Sequence, residues 1–317
     1  MTLMNLWELG DLEVPWSLRV VATLRVADLI AEGKSDVAEI AKAAGADAES
    51  LQRVMRLLVA KGIFEEPEPG RFALNDTARG LLGEGRVGFD LHGFGSRLAG
   101  VWNTLLSAVI TGKPAYHEAF GKPYWEDLEA NPKIAREFDL LMGPGHGKRN
   151  PDVLFDAADW GSIRTVVDVG GGTGSLLVEV LRAHPHLRGF LVDLPRTVER
   201  AIQHERMTPV GQSFFDPLPA GKDLYMMDRV LNDWPDAGAL RILTRIAEAL
   251  PPAGRLMVLA GVSGRAKASP ELLMMVLVGG KDRTLEEFRA LAERAGLRVS
   301  NAGVLRSGRF AVECRTR

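Results

Sequence analysis

The stretch "VVDVGGGTGSLLVEVLRAHP", residues 166–185, is an apolar run that breaks into a cluster of glycines and resumes at once with helical spacing. The apolar run predicts a buried strand, and the segment after the glycines predicts a helix. A glycine turn between the two lets the backbone come within contact distance of a ligand, and the start of the helix offers free amides. This stretch therefore predicts a ligand-binding turn at one end of a sheet.

Two ligand classes use such a turn, dinucleotides and S-adenosylmethionine. In either case an acid that closes the next strand hydrogen-bonds a ribose hydroxyl, and Asp193 in "FLVDLP" stands about 20 residues downstream, as that role requires. Asp168 within the motif, the single glycine turn and a hairpin at the end of the chain favour S-adenosylmethionine over a dinucleotide. A turn that serves only helix packing would not need Asp193 where it stands.

Apolar runs and helices alternate from residue 165 onward. The first five runs, from "TVVDVG" to "GRLMVLAGV", are nearly continuous in apolar residues, which is typical of parallel strands buried on both faces. The last two runs meet at Ser307-Gly308, which predicts a hairpin whose final strand is antiparallel, at or near an edge. Residues 161–317 are therefore predicted to form a Rossmann-like, mostly parallel α/β domain.

The first 90 residues read as a winged-helix-like module. Two helices with a turn at Gly45 precede "PEPGRFALND", a proline-glycine turn with extended flanks. The second helix carries Arg53, Arg56 and Lys61 without a basic stripe, so nucleic-acid binding is not expected. Packing and dimerisation are the expected role of residues 1–90, and the apolar start supports it with Leu3, Met4, Leu6, Trp7 and Trp16.

Residues 91–160 are predicted to form a helical connector between these two domains. The segment is rich in aromatic residues and methionines at helical spacing, which usually marks core. Some of these side chains are in a position to roof a substrate pocket. We expect Phe138 and Met142 to contact the substrate.

Composition limits the function classes. The chain has 317 residues, 46% hydrophobic and 25% charged, with a formal net charge of -2, which suits two globular domains and not a polyanion-binding protein. The single Cys314 and the lack of any cysteine-histidine grouping predict a reducing compartment and no structural metal. No apolar run reaches the ~18 residues of a membrane helix, so we expect a soluble cytoplasmic protein with no membrane partner.

Six stretches, taken in order, resemble a known family across nearly the whole chain. They are "LRVADLIAEG", "MRLLVAKGIFEE", "HEAFGKPYWEDL", "VVDVGGGTG", "VLNDWPDAGALRIL" and "GGKDRTLEEFRALAERAGL". The chain is similar to the bacterial and plant small-molecule O-methyltransferases of the caffeate and hydroxyindole type. The resemblance implies a winged-helix-like dimerisation domain followed by a class I methyltransferase domain, S-adenosylmethionine as cofactor, and a homodimer formed through the N-terminal domain.

The resemblance also implies cofactor-binding residues by position. Most of the family's pattern is kept, although Ser213 stands where an acid often precedes the aromatic residue that follows it. Where many relatives have a lysine or arginine facing the methionine carboxylate, this chain has Asp228. We expect Asp228 to turn away and Arg229 to replace the missing cation; the alternative is that the methionine end is held differently, with weak or no cofactor binding. The expected cofactor-binding residues are Asp168, Gly170, Gly172, Gly174, Asp193, Leu194, Ser213, Phe214 and Arg229.

The catalytic positions depart from the family's pattern. Methylating members place a histidine base third in the stretch that matches "VLNDW", but this chain has Asn232, whose amide orients a substrate but takes no proton near neutral pH. Of the two acids that flank the family's histidine, Gly261 replaces the first and Asp282 keeps the second. His146, in "MGPGHGKRN" before the cofactor domain, is a further possible base. The expected catalytic residues are Asn232, Asp282 and His146.

The resemblance and the altered base leave more than one function open. We expect methyl transfer, most simply to oxygen, on a small aromatic or polyketide-like secondary metabolite, with catalysis by proximity. The alternative is an enzyme that has abandoned methylation for a cyclisation, pericyclic, rearrangement or hydroxylation step, with Asn232 and Asp282 polarising substrate oxygens. A ligand-sensing regulator built on a winged helix fits the charge pattern least.

Overall fold

The computed structural model of the protein describes residues 5–142, 159–264, 271–306 and 308–317. These residues divide into two compact units. The first contains the described residues up to Trp102 together with Asn131–Leu141, and the second contains Asn103–Ala130 and the described residues from Met142 onward.

The first unit is helical with one small hairpin. Asp36 and Asp47 cap two of its helices by accepting hydrogen bonds from backbone amides of the first turn, and Gly45, with φ +67°, ends the helix that Asp36 begins. Its elements are α1 Leu6–Leu9, α2 Glu13–Thr23, α3 Val26–Ala31, α4 Val37–Ala44, α5 Ala48–Ala60, β1 Glu65–Glu68, β2 Arg71–Ala73, α6 Asp76–Arg79, α7 Phe94–Gly100 and, at its boundary, α11 Pro132–Met142. The predicted hairpin is confirmed, because β1 and β2 pair antiparallel.

The segment expected to be a separate connector is divided between the two units. Helix α11 belongs to the first unit, where Glu137 accepts a hydrogen bond from the amide of Phe94 and Phe138 meets the Phe94 ring edge-on at 5.6 Å. The helices α8 Leu105–Thr111, α9 Tyr116–Phe120 and α10 Tyr124–Ala130 belong to the second unit. Their aromatic side chains pack as predicted for core, with Tyr116 and Tyr124 buried.

The rest of the second unit is an α/β domain around a seven-stranded sheet. Its elements are β3 Thr165–Val169, α12 Ser175–Ala183, β4 Arg188–Asp193, α13 Pro195–Val198, β5 Met207–Gly211, β6 Leu224–Asp228, α14 Asp236–Ala249, β7 Arg255–Leu259, β8 Val262–Ser263, α15 Leu272–Val278, β9 Arg283–Thr284, α16 Leu285–Arg294, β10 Leu297–Val304 and β11 Phe310–Thr316. The short strands β8 and β9 pair with each other outside the large sheet.

The large sheet has the order β10-β11-β7-β6-β3-β4-β5, with β3 to β7 parallel and β11 antiparallel to both of its neighbours. The predicted Rossmann-like sheet and its terminal antiparallel hairpin are therefore confirmed. The central strands are buried on both faces, which explains their continuous apolar sequences. From β3 the sheet continues to β4 and β5 on one side and to β6 and β7 on the other, so the strand order reverses between β3 and β6. The crevice at the carboxyl ends of these two strands is where such sheets bind ligands.

Asp223 ties the starts of two central strands together. Its Oδ2 accepts hydrogen bonds from the amides of Arg164 and Thr165 and from the Thr165 hydroxyl, at 2.8 to 2.9 Å. Burial opposes ionisation of Asp223, but these hydrogen bonds outweigh it and hold the pKa of the carboxyl below its usual value. A carboxyl with a depressed pKa stabilises the folded state above its unfolded pKa, and that contribution disappears as the pH falls through the folded pKa.

We expect Asp223→Ala to lower the free energy of unfolding by about 1–3 kcal/mol near pH 7, because three donors lose their acceptor. The difference from wild type should shrink as the pH falls through the lowered pKa of the Asp223 carboxyl, because protonation removes the charge that its three donors stabilise. Thermal unfolding followed by circular dichroism across this pH range measures both effects. The exposed Asp216→Ala is the control, and an equal loss at every pH would contradict the assignment to the ionised carboxyl.

Candidate active site

The glycine turn follows β3 directly and leads into α12. Gly170, Gly172 and Gly174 have φ angles of +73°, +62° and +83°, a left-handed backbone that glycine adopts without steric cost. A Cβ on Gly170 would lie 2.8 Å from Cγ2 of Val230, whereas a Cβ on Gly172 would meet nothing within 4 Å. The turn therefore packs tightly against Val230 at Gly170 and faces open space at Gly172.

Asp193, at the end of β4, is fixed by the same turn. Its Oδ2 accepts a hydrogen bond from the Gly172 amide at 2.8 Å, and its Oδ1 accepts one from the Leu194 amide at 2.8 Å. Each carboxylate oxygen has two lone pairs, so these bonds orient the carboxylate and leave it acceptor capacity toward a ribose. Asp168 is buried at the end of β3, one strand away.

Ser213 and Phe214 lie in the loop after β5. The Ser213 hydroxyl accepts a hydrogen bond from the Phe215 amide at 3.2 Å, which stabilises the loop. Phe214 meets Trp234 edge-on at 5.8 Å, and its Cε1 lies 3.5 Å from the position of a Cβ on Gly170. Phe214 thus borders the glycine turn, as expected for a cofactor-binding residue.

Asn232 lies on a single 3-10 turn, Leu231–Asp233, that follows β6. Its Oδ1 is buried, and among the residues that the structure describes this oxygen has no hydrogen-bond partner. Gly261 is packed against it, because a Cβ on Gly261 would stand 3.1 Å from both Cβ and Oδ1 of Asn232. The two positions where the resemblance predicts a histidine and an acid in other members are therefore in contact.

The turn that carries Asn232 is held by Arg283, which is 2% exposed. Its guanidinium donates hydrogen bonds to the carbonyls of Leu231 and Trp234 at 2.9 and 2.8 Å and to Asp236 Oδ1 at 3.0 Å. Its backbone amide donates to the Gly261 carbonyl at 3.0 Å. Asp282 directly precedes Arg283 and is half-buried. The buried Arg283 therefore connects the chain at Asp282 to the turn that carries Asn232.

Asp233 is a titratable carboxyl on the same turn as Asn232. Burial raises its pKa to about 7, Arg229 opposes the rise, and Glu271 adds to it. Tyr124 from α10 is part of the same group, since burial and the Asp233 charge raise the pKa of its phenol. A carboxyl that titrates near neutral pH beside a candidate catalytic residue suits proton transfer.

Asp228 forms an ion pair with Arg309 of the terminal hairpin. Its carboxylate accepts a hydrogen bond from the Arg309 guanidinium, and Arg229 Nε lies 3.9 Å from the same oxygen. The Asp228 side chain is 7% exposed, and that of Arg229 is 41% exposed. Arg309 is therefore the nearer compensating cation for Asp228, and Arg229 is the outer one.

The structure does not test the roles predicted for three further residues. Phe138 packs against Phe94 within the first unit, and Met142 is 44% exposed at the end of α11. His146 lies outside the described residues. Their predicted roles stay predictions.

Sequence reasoning missed Arg283, Arg309 and Asp233. The first two act through residues far away in sequence, and neither lies in a spacing that predicts contact with the site. Asp233 directly follows Asn232, and this position next to a predicted catalytic residue was the signal that could have identified it. In the described parts of the chain, no group of three or more histidine, cysteine or acidic side chains is arranged to hold a metal ion. No helix in those parts has the length and hydropathy to cross a membrane.

The parallel sheet with its terminal hairpin, the glycine turn and the fixed Asp193 define a class I methyltransferase domain that uses S-adenosylmethionine. Two family models match the chain, an O-methyltransferase domain over residues 102–298 and an O-methyltransferase dimerisation domain over residues 9–84. The chain belongs to this O-methyltransferase family, and the predicted resemblance is confirmed.

Individual relatives are biosynthetic enzymes of bacteria. The chain is 40% identical over 248 residues to 2,7-dihydroxy-5-methyl-1-naphthoate 7-O-methyltransferase of Streptomyces carzinostaticus, covering 74% of each chain. It is 36% identical over 252 residues to aclacinomycin 10-hydroxylase RdmB of Streptomyces purpurascens, covering 74% of this chain and 66% of that one. The crystal structure of NcsB1, an O-methyltransferase from neocarzinostatin biosynthesis in complex with S-adenosylmethionine and 2-hydroxy-5-methyl naphthoic acid, superposes with a TM-score of 0.91 at 38% identity, covering 100% of both chains.

The residues of this chain fit the cofactor. The backbone at Gly172 borders open space that a side chain would fill, and the Asp193 carboxylate beside it is oriented by two amides. Gly172 and Asp193 would hold the adenosine part of S-adenosylmethionine, with Leu194 and Phe214 beside the base. The bound cofactor supplies a methyl group on a positively charged sulfur.

We expect Asp193→Ala to weaken binding of S-adenosylhomocysteine by about tenfold to a hundredfold, because hydrogen bonds to a charged acceptor are lost. Isothermal titration calorimetry measures the affinity, and the exposed Glu205→Ala serves as the control. Gly172→Val should also abolish binding, because a β-branched side chain is strained at φ +62° and would enter the ligand's space. Unchanged affinity in both variants would show that the turn is only structural.

Proposed function

We propose that the protein transfers the methyl group of S-adenosylmethionine to a hydroxyl oxygen of a small aromatic or polyketide-like secondary metabolite. The observation that carries the proposal is an intact cofactor turn beside a buried Asn232 Oδ1 that has no hydrogen-bond partner among the described residues. A buried acceptor without a donor costs about 1–3 kcal/mol, which a substrate hydroxyl would recover. The naphthoate and naphthoic acid named for the relatives support an aromatic acceptor.

Asn232 would act by orientation. Its Oδ1 accepts a hydrogen bond from the acceptor hydroxyl, which turns an oxygen lone pair toward the methyl group, but its amide takes no proton. Placement of two reactants in line removes much of the entropic barrier, so a strongly electrophilic methyl donor can react without a base in contact with the hydroxyl. The acceptor hydroxyl would pass its proton to solvent water as the oxygen–methyl bond forms, which favours an acidic phenol or enol as the acceptor.

A second function has its own support. The relative RdmB is named a hydroxylase, so the family contains at least one member described by another reaction. By the resemblance, Asn232 and Gly261 stand where methylating members carry a base and an acid, so this chain would lack both. In the alternative function, Asn232 and Asp282 hydrogen-bond substrate oxygens during a hydroxylation, cyclisation or rearrangement, and no methyl group is transferred.

We also propose that the protein is a homodimer, formed through its N-terminal unit and working in the cytoplasm. Residues 6–16 expose large apolar side chains that a monomer would leave in water: Leu6 81%, Trp7 90%, Leu9 59%, Leu12 63% and Trp16 45%. Exposed patches of this kind mark interaction sites, and the match to a dimerisation domain supports a second copy of the chain as the partner.

Asn232 variants separate the two functions. If the protein methylates by proximity, Asn232→Ala should lower the rate modestly, and Asn232→His should be tolerated or raise transfer to a hydroxyl by up to about 10²-fold, as expected for an added base. If Asn232 stabilises an oxyanion in another reaction, both variants should lose about 10²-fold or more. Label transfer from methyl-labelled S-adenosylmethionine to a panel of naphthols and hydroxyquinones, with mass analysis of unlabelled products, measures both reactions.

Asp233→Asn is the matched control on the same turn. Methylation by proximity predicts a pH profile set by ionisation of the acceptor and retained in Asp233→Asn. A wild-type profile that rises near pH 7 and flattens in Asp233→Asn would show instead that Asp233 takes the proton. Complete loss of methyl transfer in Asn232→His, with folding and cofactor binding intact, would favour the alternative function.

We expect size-exclusion chromatography with light scattering to give a dimer at micromolar concentration. Trp7→Asp combined with Leu9→Asp should shift the protein toward a monomer, because the charges remain hydrated and oppose burial at an interface. The control is Val304→Asp, at a residue that is 70% exposed on β10. A wild-type monomer at this concentration would contradict the dimer.

A further inference from the structure

Asp228 and Arg309 form an ion pair at the carboxyl end of β6. The Arg309 Nη2 donates a hydrogen bond to Asp228 Oδ1, and the two side chains are 26% and 7% exposed. The pair joins residues 81 positions apart, one on the central sheet and one in the turn before β11. The Asp228 carboxylate is therefore nearly buried, while the Arg309 side chain remains partly accessible to solvent.

The pair stands beside the glycine turn. Asp168 of β3 is in register with Met226 of β6, so Asp228 is level with Gly170, the first residue of the turn. Val166 and Met226 share one buried cluster on one face of the sheet, and Asp168 and Asp228 follow them by two residues, so both aspartates belong to that face. Asp228 therefore lies at the same edge of the sheet as the cofactor turn and on the same face as Asp168.

The pairing of β11 with β7 places Arg309 within reach of β6. Ala311 of β11 pairs with Leu259 of β7, and the Ala260 amide donates to the Phe310 carbonyl. Arg309 thus arrives just beyond the end of β7, from where its side chain reaches the neighbouring β6. Arg229 and Ala260, which follow these two strands, have left-handed φ angles of +57° and +68°, and such conformations of residues other than glycine tend to persist at ligand-binding sites.

A carboxylate and a guanidinium side by side match the amino-acid end of S-adenosylmethionine, which carries an ammonium and a carboxylate. Asp228 alone would repel the ligand's carboxylate, but Arg309 compensates that charge and offers a planar fork of donors to a carboxylate. The family resemblance implies a lysine or arginine, in many relatives, at the position that Asp228 occupies here. In this chain that position carries the opposite charge, and the C-terminal hairpin provides the cation.

We propose that Asp228 and Arg309 bind the amino-acid end of S-adenosylmethionine, with Arg309 as the residue that holds its carboxylate and Asp228 as the residue that holds its ammonium. The inference rests on the proposed function, since it takes this cofactor as the ligand. The competing role is structural, in which the pair only fastens the hairpin to the sheet.

Two ligands that differ only in the amino-acid end distinguish these roles. S-adenosylhomocysteine has that end, and 5′-deoxy-5′-methylthioadenosine has the adenosine and the thioether without it. We expect Arg309→Ala to weaken S-adenosylhomocysteine binding by about tenfold to a hundredfold in calorimetric titration and to change methylthioadenosine binding by less than about twofold. Arg298→Ala, at an exposed arginine of the same hairpin, should change neither.

Conservative variants keep the test informative if Arg309→Ala unfolds. Arg309→Lys should retain part of the affinity for S-adenosylhomocysteine, because the charge remains and the two-pronged geometry is lost. Asp228→Asn should weaken S-adenosylhomocysteine and leave methylthioadenosine unchanged. Equal losses for both ligands, or no loss for S-adenosylhomocysteine, would overturn the proposal while leaving the proposed function intact. A wild-type protein that binds methylthioadenosine and S-adenosylhomocysteine equally would overturn it too, and one that binds neither would overturn both.

Discussion

The buried guanidinium of Arg283 fixes the geometry on which the acceptor side of the site depends. It is bound to two carbonyls of the turn that carries Asn232 and to Asp236 at the start of α14. Burial of a cation is costly unless its donors are satisfied, so this arrangement is stable only when the turn adopts one conformation. Asn232 is thereby held against Gly261, although its own side chain makes no hydrogen bond with the described residues.

The same edge of the sheet gathers several carboxyl groups, and their surroundings differ. Asp193 accepts hydrogen bonds from two amides of the cofactor turn, and Asp228 is paired with Arg309. Asp233 is buried near Glu271, and its pKa is raised to about 7. The backbone-bonded and paired carboxylates suit charged or polyhydroxylated parts of a cofactor, whereas one that titrates near neutral pH suits proton transfer.

Aromatic contacts connect the helices of the second unit to this edge. Trp125 of α10 stacks on Trp234 at 6.4 Å with an interplanar angle of 18°, and Trp234 meets Phe214 and Phe215 edge-on. These rings link a helix that precedes the cofactor domain to the loop after β5 and to the turn of Asn232. A change of acceptor specificity through α10 would therefore also alter the packing beside the cofactor turn.

The sequence by itself determined the cofactor side of the protein. The glycine turn, Asp193 and the terminal hairpin depend on local rules, namely left-handed glycines, continuous apolar strands and a short turn between the last two strands. Tertiary structure alone decided the partners of Asp228 and of the Asn232 turn, because Arg309 and Arg283 lie 81 and about 50 residues away and contacts at such separations leave no periodic pattern. It also decided that Phe138 packs with Phe94, since a helical spacing predicts that a face is buried and does not specify what covers it.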